Sequence, residues 1–335
     1  MAKFLVVGDV HYRGTNPRAR LDNFQEAISE KLLEVNELAI EHEVDGVLQV
    51  GDLFDSPGVG YSVVAELARI LQQSHYPWYT VAGNHDIYGA NQESLRRTPL
   101  GLLVGLGIVE LVSDEIKTPV RLLGDRHFVG ITGRGYSVDT DGCSEWYSYP
   151  SDCKSPDHDT TINIVHGMLL DKPFGYDIKH QVIDNIPNPA DITIVGHEHT
   201  GFGAICRPDG KWFINPGALC RLSASNTEIN RTVQVALLEI KEDLLYDNIS
   251  VKMIPIHAQP GHVVLSREHI EQAEIRNERL ETFLRLLGSE SEAKYLELEE
   301  IMDGISKKEN IPEDVVKEGL LRLGHAREII GGRVS

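Results

Sequence analysis

Eight side chains suited to metal-assisted chemistry stand just beyond five short apolar runs. Asp9 and His11 follow Phe4-Leu-Val-Val7, and Asp52 follows Val47-Leu-Gln-Val50 and Gly51. Asn84 and His85 come after Trp78–Ala82 and Gly83, His166 after Ile162–Val165, and His197 and His199 after Ile192–Val195 and Gly196. Each run reads as a buried strand, and the crevice beyond the carboxyl ends of strands is where α/β folds bind ligands. In Asp-x-His and His-x-His both members project to the same side of an extended chain. One divalent ion is expected to take Asp9, His11 and His199. A second takes Asn84, His166 and His197, with the two oxygens of Asp52 between the ions. Mixed imidazole, carboxylate and amide ligation suits manganese, iron or zinc better than calcium or magnesium, and two manganese ions are the expectation. A lone histidine at a strand end is ordinarily a hydrogen-bonded loop residue; five strand ends delivering such groups together carry the metal reading.

The elements that position these groups follow from periodicity. Between the first two strands, Asp22 to His42 carries Phe24, Ala27, Ile28, Leu32, Val35, Leu38 and Ala39 at helical spacing, giving a right-handed strand–helix–strand unit. A second helix is expected across Val63 to Gln73, and short strands from about Val120 to Ile131. Trp212–Ile214, Thr232–Ile240 and Ile249–Ile254 read as strands of a second sheet. Gly133 to Thr161 has no clear period and is too long for a routine connection, so it is a functional or a mobile loop. Its Trp146, Tyr147 and Tyr149 either stack on an unpaired base or pin the loop to the domain. His127, His158, His180 and His257 have no matching partners and are expected at the surface or in loops. Past Pro260-Gly261 the composition shifts toward helices starting at Ser266, at the Ser289/Glu292 capping box and at Pro312. The expected organisation is a catalytic domain over 1–260 and a helical segment over 261–335.

The bulk numbers bound these readings. A chain of 335 residues at 41% hydrophobic content can bury one large α/β core and carry an appendage. Cys143, Cys153, Cys206 and Cys220 lack Cys-x-x-Cys spacing, so free thiols in a reduced, cytoplasmic chain are expected. The opening residues are too short for a signal h-region, and no apolar run is long enough to span a bilayer, so no membrane role is expected. The formal charge of −19 opposes a surface that grips nucleic acid through phosphate neutralisation alone. A local basic groove stays open, and bound cations offset part of the deficit.

As a set, Gly8-Asp-Val-His11, Gly51-Asp-Leu-Phe-Asp55, Gly83-Asn-His-Asp86, Val165-His-Gly167 and Gly196-His-Glu-His199 resemble the five ordered motifs of calcineurin-like metallophosphoesterases. The resemblance covers roughly residues 4–220. It implies an α/β fold, a four-layered α/β/β/α sandwich, to which the C-terminal helices would form an appendage. It also implies a dinuclear centre with the ligands assigned above. His85 is then a general acid or a phosphate-orienting imidazole rather than a ligand, held by Asp86.

Within that superfamily the chain looks most like the Mre11/SbcD nuclease branch. The similarity lies in His11-Tyr-Arg-Gly14, Arg20, Asp22, Val44-Asp-Gly-Val-Leu48 and Asn215-Pro-Gly-Ala-Leu-Cys-Arg221. Ser56 stands where protein phosphatases of the family usually carry an Arg, so a bidentate clamp for a phosphomonoester dianion is missing and a diester is implied. The resemblance thus implies a metal-dependent phosphodiesterase acting as a DNA nuclease in DNA repair. Implied partners are DNA, a Rad50-like (SbcC-type) SMC ATPase and a second copy of the chain in a homodimer; the C-terminal helices either dock that ATPase or pack on their own domain. The alternative is a cyclic-nucleotide-type phosphodiesterase or a phosphatase of the same fold. A non-catalytic scaffold ranks last, because no ligand position is lost.

Overall fold

The computed structural model describes residues 1–113, 119–120, 128–150, 160–175, 178–241, 248–268, 311–312 and 315–316. The chain divides into two compact units, Met1–His269 and Ile270–Ser335. In the first unit, β1 (Ala2–Val7), β2 (Gly46–Gln49), β3 (Trp78–Thr80) and β4 (Glu110–Leu111) lie side by side and parallel. A second sheet begins with β5 (Pro119–Val120), antiparallel to β6 (Val129–Arg134), which continues parallel to β7 (Thr160–His166). After the two-stranded pair β8 (Leu169–Leu170) and β9 (Gln181–Val182), this sheet is completed by β10 (Ile192–Gly196), β11 (Gly203–Cys206) and β12 (Trp212–Asn215).

The last two strands depart from the sequence expectation. β13 (Gln234–Ile240) and β14 (Ile249–Pro255) do not join β12 in the second sheet. They return to the first, where β13 runs antiparallel to β1 with Phe4 opposite Leu238. The continuous apolar run Val235, Ala236, Leu237 and Leu238 is buried on both faces of the strand. It carries no information about which sheet edge receives that strand.

Period-2 alternation sorts β1 between two cores. Leu5 and Val7 face α1 (Phe24–Glu41) and α2 (Tyr61–Leu71), whose buried Phe24, Ile28, Leu32, Val64 and Leu67 belong to the same cluster. Phe4 and Val6 face the other way, onto Ile131, Ile162, Ile164, Ile192 and Ile194 of the second sheet. The Asn23 side chain accepts the Glu26 amide and starts α1 close to the expected position. The outer face of the second sheet buries Val165, Val195 and Phe213 beneath Tyr147, Leu169, Ile183 and Ile186. Among the described residues this fourth layer includes the single-turn segments Ser144–Tyr147 and Ile183–Asn185.

That packing settles the role of two loop aromatics. Tyr147 and Tyr149 are buried and pin the segment to the domain, so neither is free to stack on a base. Trp146 lies under the Arg134 guanidinium, 5.6 Å from its ring centre. His180 and His257 make loop and surface contacts, with the Phe174 amide and the Glu34 carboxylate. Cys143 and Cys220 are free thiols and the Cys206 thiol donates to the Arg207 carbonyl, while Cys153, His127 and His158 lie outside the described residues.

The first unit continues past residue 260. The Ser266 amide donates to the Ala19 carbonyl at 2.8 Å, and Leu265 bridges to Arg20. Ser266 Oγ accepts the Glu268 amide, and the Val315 and Val316 amides donate to the Pro312 carbonyl, both contacts of the kind that open a helix. The bodies of the three expected C-terminal helices lie outside the described residues. Among the described residues no helix is long and apolar enough to cross a membrane.

Candidate metal centre

The candidate ligands come from two sheets rather than from one sheet edge. Asp9 and His11, Asp52, and Asn84 and His85 follow β1, β2 and β3; His166 and His197 to His199 follow β7 and β10. Parallel register within each sheet (Val7 opposite Gln49, Val195 opposite Val165) brings each set of carboxyl ends to one edge, where the two sets meet. The turns that deliver the ligands are tight. His11, Asp52 and His197 have φ values of 49°, 51° and 79°, a left-handed conformation costing roughly 1–3 kcal/mol for a residue with a side chain. A Cβ on Gly83 would overlap the Asp52 carboxylate, so only glycine allows that approach.

The ligand atoms of Asp9, His11 and His199 lie within 4.8 Å of one another, and so do those of Asp52, His166 and His197. In the first group His11 Nε2 and His199 Nε2 converge at 3.0 Å, and Asp9 Oδ2 is 3.5 Å from His199 Nε2. In the second, His166 Nε2 is 3.1 Å from Asn84 Oδ1 and 3.4 Å from Asp52 Oδ2. The same Asp52 Oδ2 lies 3.6 Å from His11 Nε2, so it faces both groups. Asp52 Oδ1 accepts the His85 amide at 2.8 Å, whereas Oδ2 is buried with no hydrogen-bond partner. A buried carboxylate oxygen left unpartnered is costly, and a cation on either side is what this one fits. His166 Nδ1 donates to the Val50 carbonyl at 2.8 Å, which leaves the Nε2 lone pair directed at the site. These residues therefore fit two divalent ions with Asp52 between them.

The charges are tuned by one another. Burial alone would disfavour a protonated His166, but the Asp52 and Asp9 carboxylates outweigh it and raise its pKa to about 10. Burial likewise opposes ionised Asp52, and the field of His166 and its neighbours overrides it, holding that carboxyl well below the usual range. Asp9 is raised to about 6, chiefly by burial. His197 and His199 are lowered to about 4 and about 3, chiefly by burial and then by His166 and His11 respectively. Without ions, a proton on His166 supplies part of the positive charge the carboxylates demand.

His85 stands beside this cluster, its ring edge-on to His11 with centroids 4.7 Å apart. Its Nδ1 donates to the Asp55 carbonyl at 2.7 Å, which leaves Nε2 for substrate. Asp86 does not hold the ring, contrary to the sequence expectation. Its carboxylate accepts the amides of Gly83, Leu53 and Phe54, locking the β3 turn to the β2 turn, and burial pushes its pKa up to about 7. The adjacent position forces this outcome, because three converging main-chain amides leave Asp86 facing the backbone.

Sequence reasoning gave no role to three further residues. Asp55 orients His85 through its carbonyl, pairs with Arg13 at 2.8 Å and lies 3.6 Å from His11 Nδ1. Tyr136 packs against the His197 and His166 rings, and its hydroxyl donates to Asp141, which is also 3.9 Å from His197 Nε2. Asp55 was visible as the end of its motif. Tyr136 and Asp141 sit in an aperiodic loop and had no signal.

This arrangement defines a class. The chain belongs to the calcineurin-like phosphoesterase family, whose profile matches residues 2–201, and the site is that of a metal-dependent phosphoester hydrolase. Among curated proteins it is similar to the DNA double-strand break repair protein Mre11 of Methanosarcina acetivorans, at 26% identity across 97% of this chain and 54% of the relative. The Mre11 protein of Methanosarcina mazei is 26% identical across 68% of this chain and 34% of its own length. The chain thus spans about half or less of these relatives. Among solved structures, the calcineurin-like phosphoesterase YfkN of Bacillus subtilis aligns with a TM-score of 0.49 at 12% identity, covering 82% of this chain and 97% of that one.

Proposed function

We propose that the protein is a two-metal phosphodiesterase of the Mre11/SbcD type that cleaves DNA. The observation that carries the reading is Asp52 Oδ2, buried with no backbone donor and placed between His11 Nε2 at 3.6 Å and His166 Nε2 at 3.4 Å. Asp9, His11 and His199 hold one ion and Asn84, His166 and His197 the other. When bound, the pair supplies Lewis acidity to the phosphate and lowers the pKa of water at the site; manganese is the favoured metal. His85, oriented by the Asp55 carbonyl, protonates the leaving oxygen through Nε2. Asp86 keeps the two turns in register. The absence of an Arg at position 56 favours a monoanionic diester.

DNA as substrate and a role in DNA repair are supported by the similarity to the two Methanosarcina Mre11 proteins, and a Rad50-like ATPase partner is proposed on the resemblance of the motifs to the Mre11/SbcD branch. The C-terminal segment after His269 is the proposed docking element; its acidic excess makes it no nucleic-acid arm. A cytoplasmic homodimer completes the reading. The test is metal-dependent hydrolysis of single- and double-stranded DNA of defined ends beside a panel of small phosphodiesters, cyclic nucleotides included. Manganese-dependent DNA cleavage is expected. Turnover of a small diester with none on DNA would favour the alternative substrate class.

A further inference from the structure

We propose that a cavity between α1 and the chain around 257–264, separate from the metal centre, binds a small oxyanion of the sulfate, phosphate or carboxylate class. The cavity has a volume of about 210 Å³, and Arg20, Lys31, Arg221 and Gln259 line it. Lys31 and Arg221 are 5% and 6% exposed, and among the described residues neither has a carboxylate partner. Lys31 Nζ donates to the Leu219 carbonyl at 3.0 Å. Arg221 donates only to the carbonyls of Glu228, Gln259 and Arg231. The acids are already engaged: Asp22, which lines the cavity, by Arg20 at 2.5 and 2.7 Å, and outside it Glu228 by Arg231 at 2.6 Å and Glu34 by His257. Glu30, which also lines the cavity, is exposed.

Buried cations answered only by neutral carbonyls retain much of their desolvation cost, which an anion between them would offset. Lys31 has three donors and one named acceptor, and a guanidinium presents a planar fork matched to oxyanions. A single water needs only roughly 10–15 Å³ of such a volume, so the cavity has room for a tetrahedral or carboxylate-sized ion. The site also backs the metal centre. The Leu219 amide donates to the Asp9 carbonyl at 2.8 Å and the Ala218 amide to the His199 carbonyl at 2.9 Å. An anion that engages Lys31 therefore acts on a segment that braces two ligands of the first ion.

The test uses the metal-loaded full chain and Lys31→Met. Crystals grown without sulfate or phosphate are soaked in selenate, and thermal unfolding is followed in sulfate against chloride at matched ionic strength. A selenium anomalous peak in the wild-type cavity is expected, and none in Lys31→Met. The midpoint should rise more in wild type, with apparent sulfate affinity at least about tenfold weaker in the variant, as for loss of a charge-assisted contact. Sulfate at the metal centre and its general salting effect are common to both proteins and cancel in that difference. Should Lys31→Met fail to fold, Ala27→Leu narrows the cavity while keeping every cation, and it too should lose the response. Equal shifts in all proteins overturn the proposal, whether the cavity is empty or holds an adventitious ion only.

Discussion

Replacing His85 with alanine separates metal binding from proton transfer. The His85 contact to Asp52 is made by its main-chain amide, 2.8 Å from Oδ1, and alanine keeps that amide. What disappears is the imidazole, with its 2.7 Å bond to the Asp55 carbonyl and its edge contact with His11. Metal content should therefore stay at about two ions per chain, by the two-metal assignment. Cleavage of DNA should slow by roughly 10²–10⁴-fold, the contribution of one general acid–base group, or about 2.7–5.5 kcal/mol in the barrier. A nitrophenyl diester needs little help in leaving and should lose much less. The assay is metal analysis of the purified variant beside rates on both substrates. Metal lost together with activity would refute the assignment and make His85 a ligand. Equal losses on both substrates would mean that it orients phosphate rather than donating a proton.

Asp52→Asn keeps the shape and removes the shared charge, so metal content should fall from about two toward one or none, read by elemental analysis; unchanged stoichiometry and activity would contradict the bridge. Metal uptake should also expel protons. The metal-free chain holds a proton on His166 up to about pH 10, and ligation through Nε2 needs the neutral ring. Apparent affinity should then rise at least about tenfold per unit between pH 7 and 9, with about one proton or more released per chain by calorimetry in buffers of different ionisation heat. Flat affinity across that window would count against the assignment. Truncation after His269, which retains the Ser266–Ala19 and Leu265–Arg20 contacts, should leave small-diester hydrolysis intact and abolish capture of a Rad50-like ATPase. Loss of folding would show that the segment belongs to the catalytic unit.

Much of the site was legible because it lies in local chemistry. A strand's length, its two-sided burial and the turn glycine after it are all written within about ten residues. Asp9 with His11 and His197 with His199 each lie within three residues, so the ligand types are local signals, although the turns that carry them are left-handed at His11 and His197 rather than extended. The α1 boundaries were readable for a similar reason, since the Asn23 cap and the Phe24, Ile28 and Leu32 stripe are local signals.

What needed the tertiary structure was every relation between segments distant in sequence. The placement of β13 beside β1 depends on which edge of which sheet is free, and a strand apolar on both faces satisfies either. Asp86 does not take its expected role because three amides from two turns converge on its carboxylate, and the Asp55 carbonyl orients His85 instead. Tyr147 is a core residue because the second sheet's outer face needs covering, and Tyr149 is buried against Ala190, demands that no window of the loop's own sequence expresses. Sequence alone therefore determined the ligand types and the strand ends that carry them. Folding decided which side chains meet, because burial and backbone hydrogen bonding are satisfied by the whole molecule and not by any one segment.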